Sequence, residues 1–257
     1  MDTAENIKHY SAMTENLKGF QKTTLNYYRW IFEIISPYAG KRILEVGSGG
    51  GLLAQFFHNY EIYYASDIFA PYLEILKERI GKRINTHIIE LDISKDKDEY
   101  NFLHAFRFDT VICAGVIEHL LDDLKAFSNM AHILRKGGRL IIFAPALGLL
   151  YGKNDYALGH FRRYSKIEMI SKVKKAGLDL EDIFYNNFFG IFPWFYVGKI
   201  MRKSTASELQ FKAFDRIVPI LKAAERYIRP FAGLNLVCIG KKEKQKLFPS
   251  CIKTQIK

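Results

Sequence analysis

From residue 41 onward, short runs rich in β-branched and aromatic residues alternate with stretches of helical periodicity. The runs fall at Ile43–Val46, Ile62–Ala65, Thr86–Leu91, Thr110–Cys113 and Leu140–Phe143. Between them, Leu52–His58, Pro71–Ile80 and Leu120–Leu134 carry apolar residues at three- and four-residue steps. Pro71 suits a first helical turn, and Gly137-Gly138 suits a helix end followed by tight entry into a strand. Strands alternating with helices predict βαβ crossovers and a parallel sheet covered on both faces. Residues 1–40 read as a helical cap, with Leu25, Tyr28, Ile31 and Ile35 at helical spacing before Pro37 and Gly40. Ser165-Lys166-Ile167-Glu168 is a capping box for a helix ending near Gly177, and Asp179–Phe189 and Asn235–Gly240 read as two further strands. Between these last strands lies a segment with its own helical stripe of Phe211, Phe214, Val218, Leu221 and Ile228, interrupted by Pro219, where a kink or break is expected.

The expected organisation is a helical cap over residues 1–40 and a core over 41–186. A helical insertion over 187–233, a final core strand over 234–242 and a basic, disordered tail over 243–257 complete it. At 257 residues, 49% hydrophobic and 25% charged, the chain suits one globular domain with a sizeable insertion, not a disordered or fibrous protein. Its net charge of +11 is unevenly spread. Residues 1–150 carry 17 basic and 18 acidic side chains, whereas 151–257 carry 21 and 9. That surplus fits an anionic partner or a solvated lysine-rich surface. Three cysteines without CxxC spacing indicate neither a disulfide framework nor a zinc site, and no metal-ligand cluster is evident. With no signal-peptide pattern at the start and no apolar run of spanning length, a cytoplasmic, non-spanning protein is expected.

The sharpest chemical signal is Ile43-Leu44-Glu45-Val46-Gly47-Ser48-Gly49-Gly50-Gly51-Leu52. A strand runs into a glycine-rich turn, where backbone can approach a ligand closely. A dinucleotide fingerprint needs its third glycine at position 52, which is Leu52, so a nicotinamide-dependent oxidoreductase is disfavoured. Glu45 repels a pyrophosphate and suits a ligand with an ammonium group. Asp67 ends the second strand, where a carboxylate can accept from both ribose hydroxyls, and Ile68 follows it. Asp92 and Ile93, after the third strand, are placed to meet an adenine amine and ring nitrogen. The fourth strand leads into Gly115-Val116-Ile117-Glu118-His119. All these sites fall at strand carboxyl ends, the ligand-binding edge of open α/β sheets.

On these residues the chain resembles the class I S-adenosylmethionine-dependent methyltransferases, most closely their small-molecule branch, which includes the quinone-precursor methyltransferases. The resemblance rests on Glu45-x-Gly47-x-Gly49-x-Gly51, Asp67, Asp92-Ile93, Asp109…Glu118-His119 and Leu134–Leu140, and covers about residues 41–186 plus the last strand. It implies a Rossmann-like seven-stranded sheet with the last strand antiparallel and helices on both faces. It further implies S-adenosylmethionine as cofactor. Glu45, Gly47, Ser48, Gly49 and Gly51 would hold the methionine end, Asp67 and Ile68 the ribose side, Asp92 and Ile93 the adenine. Gly115 and Val116 would line the cofactor beside the acceptor.

Methyl transfer asks the protein mainly for orientation and a dry pocket, plus a base where the acceptor carries a proton. His119, His160 and Tyr164 are the candidate bases, with Glu118 behind them. Arg162 and Arg163 are candidates for binding an anionic acceptor, alongside the alternative that they are solvated or paired within the protein. Phe188–Val197, dense in aromatics and followed by Lys199, Arg202 and Lys203, suits either a peripheral membrane contact and a lipid-like acceptor or a packed helical cap. The alternatives are a non-catalytic or membrane-docking adenosylmethionine-binding protein and an RNA methyltransferase. Nucleic acid is disfavoured as acceptor by the absence of Asn-Pro-Pro-Tyr, Asp-Pro-Pro-Tyr or Pro-Cys signatures and of any RNA-binding module.

Overall fold

The computed structural model describes residues 24–196, 208–225 and 230–243. Seven strands form one sheet: β1 (Arg42–Val46), β2 (Ile62–Asp67), β3 (Thr86–Glu90), β4 (Thr110–Ala114), β5 (Arg139–Pro145), β6 (Asp179–Asn186) and β7 (Asn235–Lys241). Their order is β3-β2-β1-β4-β5-β7-β6. β7 runs antiparallel to both neighbours, β5 and β6, while the pairings among the first five strands are parallel. The Rossmann-like sheet with an antiparallel last strand is therefore present as expected. The order reverses between β1 and β4, whose connections leave in opposite directions and open a crevice at their carboxyl ends.

Apolar side chains alternate along the strands and build a core on each face. On one face α1 (Leu25–Ile35) and α2 (Ala70–Ile80) bury Ile31, Ile35, Leu73, Leu76 and Ile80 against Ile43, Ala65, Ile112 and Ile141. On the other, α3 (Asp123–Ile133), α5 (Lys166–Lys175) and a 3-10 helix at Lys97–Phe106 bury Phe127, Met130, Met169, Tyr100 and Leu103 against Leu44, Val111 and Leu140. Each such large apolar side chain removed from water stabilises the fold by about 1.5–3 kcal/mol. The Ser165–Glu168 capping box forms as the sequence indicates, with the Ser165 hydroxyl oxygen accepting from the Glu168 N–H at 3.2 Å and the Glu168 carboxylate accepting from the Ser165 N–H at 2.8 Å.

Two local expectations are corrected and one unassigned element is added. Leu52–His58 is not a helix: only a 3-10 turn at Ala54–Phe56 forms, because Gly47, Gly49 and Gly51 all take positive φ and Phe57 is already extended. β6 stops at Asn186 rather than Phe189, because Asn187 turns to φ 62° and its side chain accepts from the Gly190 N–H. The chain between β3 and β4 is the 3-10 helix, whose polar Lys97-Asp98-Glu99 start hides its two inward residues, Tyr100 and Leu103, from periodicity. Two short helices also appear, α4 (Lys153–Ala157) and α6 (Ile191–Phe195).

The insertion contributes α7 (Glu208–Glu225), which continues through Pro219 rather than breaking there. It packs on α1, with Val218 buried. Phe211 and Ile228 of the expected stripe, Tyr10 of the N-terminal cap, and the tail beyond Glu243 lie outside the described side chains. Thr24 precedes α1 without a side-chain capping bond. Its capping is supplied instead by buried Asp215 of α7, whose carboxylate accepts from the N–H groups of Asn26 at 3.2 Å and Tyr27 at 2.9 Å. Lys222 and Glu33 form an ion pair further along the same contact.

Removing a cap of this kind costs about 1–2 kcal/mol. Asp215→Ala is therefore expected to lower the thermal midpoint by several degrees, and Asp215→Asn by less. Differential scanning calorimetry of the two variants checks this, and equal midpoints for wild type and Asp215→Ala would refute the cap.

Candidate active site

At the end of β1 the chain turns through Gly47 at φ 70°, Gly49 at 52° and Gly51 at 76°. The first needs to be glycine twice over. Its conformation is left-handed, and a Cβ there would meet the Val116 Cγ2 at 2.3 Å. At Gly49 an added Cβ meets nothing within 4 Å, so the turn faces open space. The loop is fastened by Ser48 to Ser66 of β2, with N–H to carbonyl at 2.7 Å, and by the Arg79 guanidinium donating to the Gly50 carbonyl. Asp67 joins β2 to the same loop, its Oδ2 accepting from Gly49 N–H at 2.8 Å and its Oδ1 from Phe69 N–H at 3.0 Å. Burial raises the Asp67 carboxyl, opposed by these backbone donors.

Glu45 is buried beside the loop and accepts from the Tyr63 hydroxyl at 2.7 Å. Among the described residues no basic side chain pairs with it, and burial pushes its carboxyl up to about 7. A buried carboxylate lacking a cation, next to an open glycine turn, fits a ligand carrying an ammonium group. Asp92 accepts from the Ser94 N–H at 2.9 Å and from the Ser94 hydroxyl at 2.6 Å. Behind this turn, buried Asn129 donates to the Ile93 and Lys95 carbonyls at 2.8 and 2.9 Å, and the Tyr100 hydroxyl to the Asp92 carbonyl at 2.6 Å. Gly115, at φ 71°, is held by its N–H on the Phe143 carbonyl. Ile68 is exposed and Val116 half-buried. Glu45, the glycines, Ser48, Asp67, Asp92, Ile93, Gly115 and Val116 thus lie along the carboxyl ends of the four strands β3-β2-β1-β4.

The acceptor side begins at Glu118, which is 3% exposed with Oε2 unpartnered. Burial raises its carboxyl to about 7 against the opposing charges of His160 and Arg163. His160 Nε2 lies 4.0 Å from Glu118 Oε1, and His160 Nδ1 lies 3.0 Å from Asp155 Oδ1. Fully buried Asp155 also accepts from Arg163 Nε at 2.7 Å and from the Gly152 N–H at 3.0 Å. Its burial would raise its carboxyl, but the His160 and Arg163 hydrogen bonds hold it below the usual range. Asp155 meets His160 at Nδ1, so Nε2 is the ring nitrogen turned towards Glu118. The His119 ring stands edge-on to His160 at 4.8 Å.

Three expectations change here. Tyr164 is not placed as a base: it is buried, and its hydroxyl is bound by Asp123 Oδ2 at 2.7 Å and the Ile117 carbonyl at 3.1 Å, driving its ionisation far above the ordinary range. Arg162 and Arg163 do not present free charges to an anion. Arg162 pairs with Asp123 at 3.0 Å and donates to the Leu121 carbonyl, while Arg163 is buried between Asp155, the Ala146 carbonyl and the Trp194 ring. The sequence also concealed a cluster of three ligand-type side chains, since Glu118, His119 and His160 bring donor atoms within 4.8 Å of one another. Asp155 was missed as well. Its only signal is its place five residues before His160 at a glycine-led helix start.

The two carboxyls pushed up to about 7, Glu45 and Glu118, bind their protons more tightly in the folded than in the unfolded chain. Their contribution is complete at low pH and is lost as pH rises from about 4.5 towards 7. Asp123 and Asp155, held low, work in the opposite sense but only near and below pH 3.8. The ligand-free protein is therefore expected to lose thermal stability between about pH 5 and pH 8, and Glu118→Gln to flatten the slope. Melting curves across that range check it; a slope unchanged in the variant would refute the assignment.

Residues 44–140 match the family model described as "Methyltransferase domain". The ubiquinone biosynthesis O-methyltransferase of Thiobacillus denitrificans is 26% identical over 178 residues, 60% of this chain and 71% of that enzyme. A tRNA U34 carboxymethyltransferase of Campylobacter concisus is 28% identical over 148 residues, 54% of this chain and 47% of that protein. In fold, the chain is similar to a Thermotoga maritima protein described as an S-adenosylmethionine-dependent methyltransferase and possible histamine N-methyltransferase. The TM-score is 0.62 at 18% identity, over 92% of this chain and 99% of that one. Residues 44–140 thus carry a methyltransferase domain, whose cofactor is S-adenosylmethionine, and the chain resembles the quinone-precursor methyltransferases.

Proposed function

We propose that the chain methylates an oxygen of a small, lipid-like molecule, with His160 as the base. The observation that carries this is the Asp155–His160–Glu118 arrangement at the carboxyl end of β4, where the glycine-loop half of the sheet meets the acceptor half. When bound, S-adenosylmethionine supplies a methyl group activated by its sulfonium. Glu45 and the Gly47–Gly51 turn would hold its amino-acid end, Asp67 its ribose, and Asp92 with Ile93 its adenine. His160 Nε2 takes the hydroxyl proton, while Asp155 keeps the ring in the one tautomer able to do so. Glu118, protonated or not according to pH, faces the same nitrogen.

An oxygen acceptor agrees with the O-methyltransferase among the relatives. Support for a lipid-like acceptor comes from the surface around the acceptor side. Leu149, Phe192, Phe195, Tyr196 and Phe231 are exposed there, on α6 and its neighbouring turns. Lys199, Arg202 and Lys203 follow α6 in the sequence and lie outside the described residues. Exposed aromatics beside basic residues suit a peripheral membrane contact. No helix among the described residues is long and apolar enough to cross a membrane.

Asp67→Ala is expected to abolish binding of S-adenosylhomocysteine in isothermal titration calorimetry. His160→Ala should bind it normally yet lose at least about a hundredfold in transfer of labelled methyl to a lipid extract. Failure of the wild type to bind S-adenosylhomocysteine would overturn the functional proposal. Transfer to RNA but not to the lipid extract would replace the acceptor class.

A further inference from the structure

Buried polar atoms are nearly always hydrogen-bonded, so those that are not deserve an explanation. Among the described residues five buried side-chain atoms have no partner: Glu118 Oε2, Asn154 Oδ1, Asn186 Oδ1, Asn187 Nδ2 and Trp194 Nε1. They are not scattered. Pro145, Asn235 and Asn186 stand side by side at the ends of β5, β7 and β6, and Asn187 follows directly. The Tyr27 hydroxyl donates to Asn235 Oδ1 at 2.9 Å. Asn187 also lies beside Tyr27, and its Oδ1 accepts from Gly190 N–H just before α6. Trp194 of α6 lies under the Arg163 guanidinium at 4.8 Å. Arg163 bonds Asp155, the neighbour of Asn154 and the partner of His160, which faces Glu118. A chain of contacts thus runs from Asn186 and Asn187 through α6 to Arg163, Asp155 and the base.

The chemistry of the five is mixed and balanced. Asn187 Nδ2 and Trp194 Nε1 donate; Asn154 Oδ1 and Asn186 Oδ1 accept; Glu118 Oε2 accepts when ionised. Arg163 is neutralised by Asp155, and Glu118 is the one charge-bearing group of the set. The other four atoms, on Asn154, Asn186, Asn187 and Trp194, are neutral and fit groups that both donate and accept. Hydroxyls are the common group of that kind. These atoms are closed off from bulk water, and α6, which sets Trp194 against Arg163, exposes Phe192 and Phe195.

We propose that this region is the head-group subsite of the acceptor and takes an uncharged, polyhydroxylated group that enters beneath α6, with the methyl-accepting hydroxyl presented to His160. The inference rests on the functional proposal above and deepens it by naming the acceptor's head group. It sets a polar subsite under an apolar rim, the arrangement an amphiphile with a neutral head requires.

The test uses full-length protein loaded with S-adenosylhomocysteine and titrated with octyl glucoside below its micellar concentration, followed by tryptophan emission. Octanoate and octylamine serve as charged probes with the same tail. The expected result is a saturable emission change with octyl glucoside, absent in Trp194→Phe, and binding at least about tenfold weaker for the charged probes. Asn154→Ala, read by the same signal, should weaken octyl glucoside about tenfold. Without probe, both variants should melt at or above the wild-type temperature, because each removes an unmet polar atom; a purely structural role would lower both. No saturable change with octyl glucoside, equal binding of octanoate or octylamine, or variants that bind as wild type would each overturn the subsite. Loss of S-adenosylhomocysteine binding in the same preparations would instead overturn the functional proposal, so the two failures are distinguishable.

Discussion

The arrangement depends on one close approach, between the bare α-carbon of Gly47 and the side chain of Val116. β1 and β4 are neighbours in the sheet, and at their ends the chain must leave one to the left and the other to the right. A turn that rises and falls back within three residues requires left-handed glycines at Gly47, Gly49 and Gly51. Because no Cβ stands in the way at Gly47, the β4 turn can lie directly against the β1 turn. That contact sets the carboxylates at the ends of β1–β3 and the Glu118–His160 cluster after β4 and β5 on either side of a single seam. Glu118, three residues beyond Gly115, is carried to the seam by the same turn. Loop precision here comes from steric exclusion in the backbone more than from any strong side-chain bond.

On the two sides of that seam the protein uses buried carboxylates in opposite ways. Glu45 and Glu118 are buried without a cationic partner at bonding distance, and both hold protons up to about pH 7. Asp155 and Asp123 are equally buried but fully paired, and stay charged. The paired ones organise: Asp155 fixes His160 and Arg163, and Asp123 gathers Tyr164, Lys172 and Arg162. The unpaired ones organise nothing of that kind: Glu45 is met by the Tyr63 hydroxyl, and Glu118 keeps an oxygen without a partner. This division explains why the arginines after Gly159, conspicuous in the sequence, turn out to be internal ties. Their charge is spent on holding the aspartates of the same wall.

How much was legible beforehand follows from where each signal resides. The central strands, buried on both faces, announce themselves as β-branched runs, and the half-exposed β3 and β6 keep enough of the pattern for all seven to be placed to within a few residues. Glu45, Asp67 and Asp92 were legible because strand ends and glycine turns fix their position along the chain before any packing is known. The Leu52–His58 error came from trusting apolar spacing immediately after three left-handed glycines, where the backbone cannot yet be helical. Asp155, Asn129 and Tyr63 were invisible for a different reason. Each acts through a partner far away in sequence or across strands, such as Asn129 on the Ile93 carbonyl, and no local pattern records a long-range hydrogen bond. Tyr164 and Arg163 were misplaced because exposure was inferred from loop position, and this loop is tucked inward by Ala146 and Asp155.

The α1 cap has a consequence in time as well as in energy. Asp215 reaches Asn26 and Tyr27 across 189 and 188 residues of chain. During synthesis α1 is made early, but the carboxylate that satisfies its first N–H groups arrives only when most of the protein has been made. A helix of eleven residues is marginal on its own in water. α1 therefore has its packing on the sheet through Ile31 and Ile35 available before its cap, which needs the chain to have been made through Asp215. Tyr27 also carries its hydroxyl to Asn235, so the residue capped by α7 ties the start of α1 to the start of β7 as well.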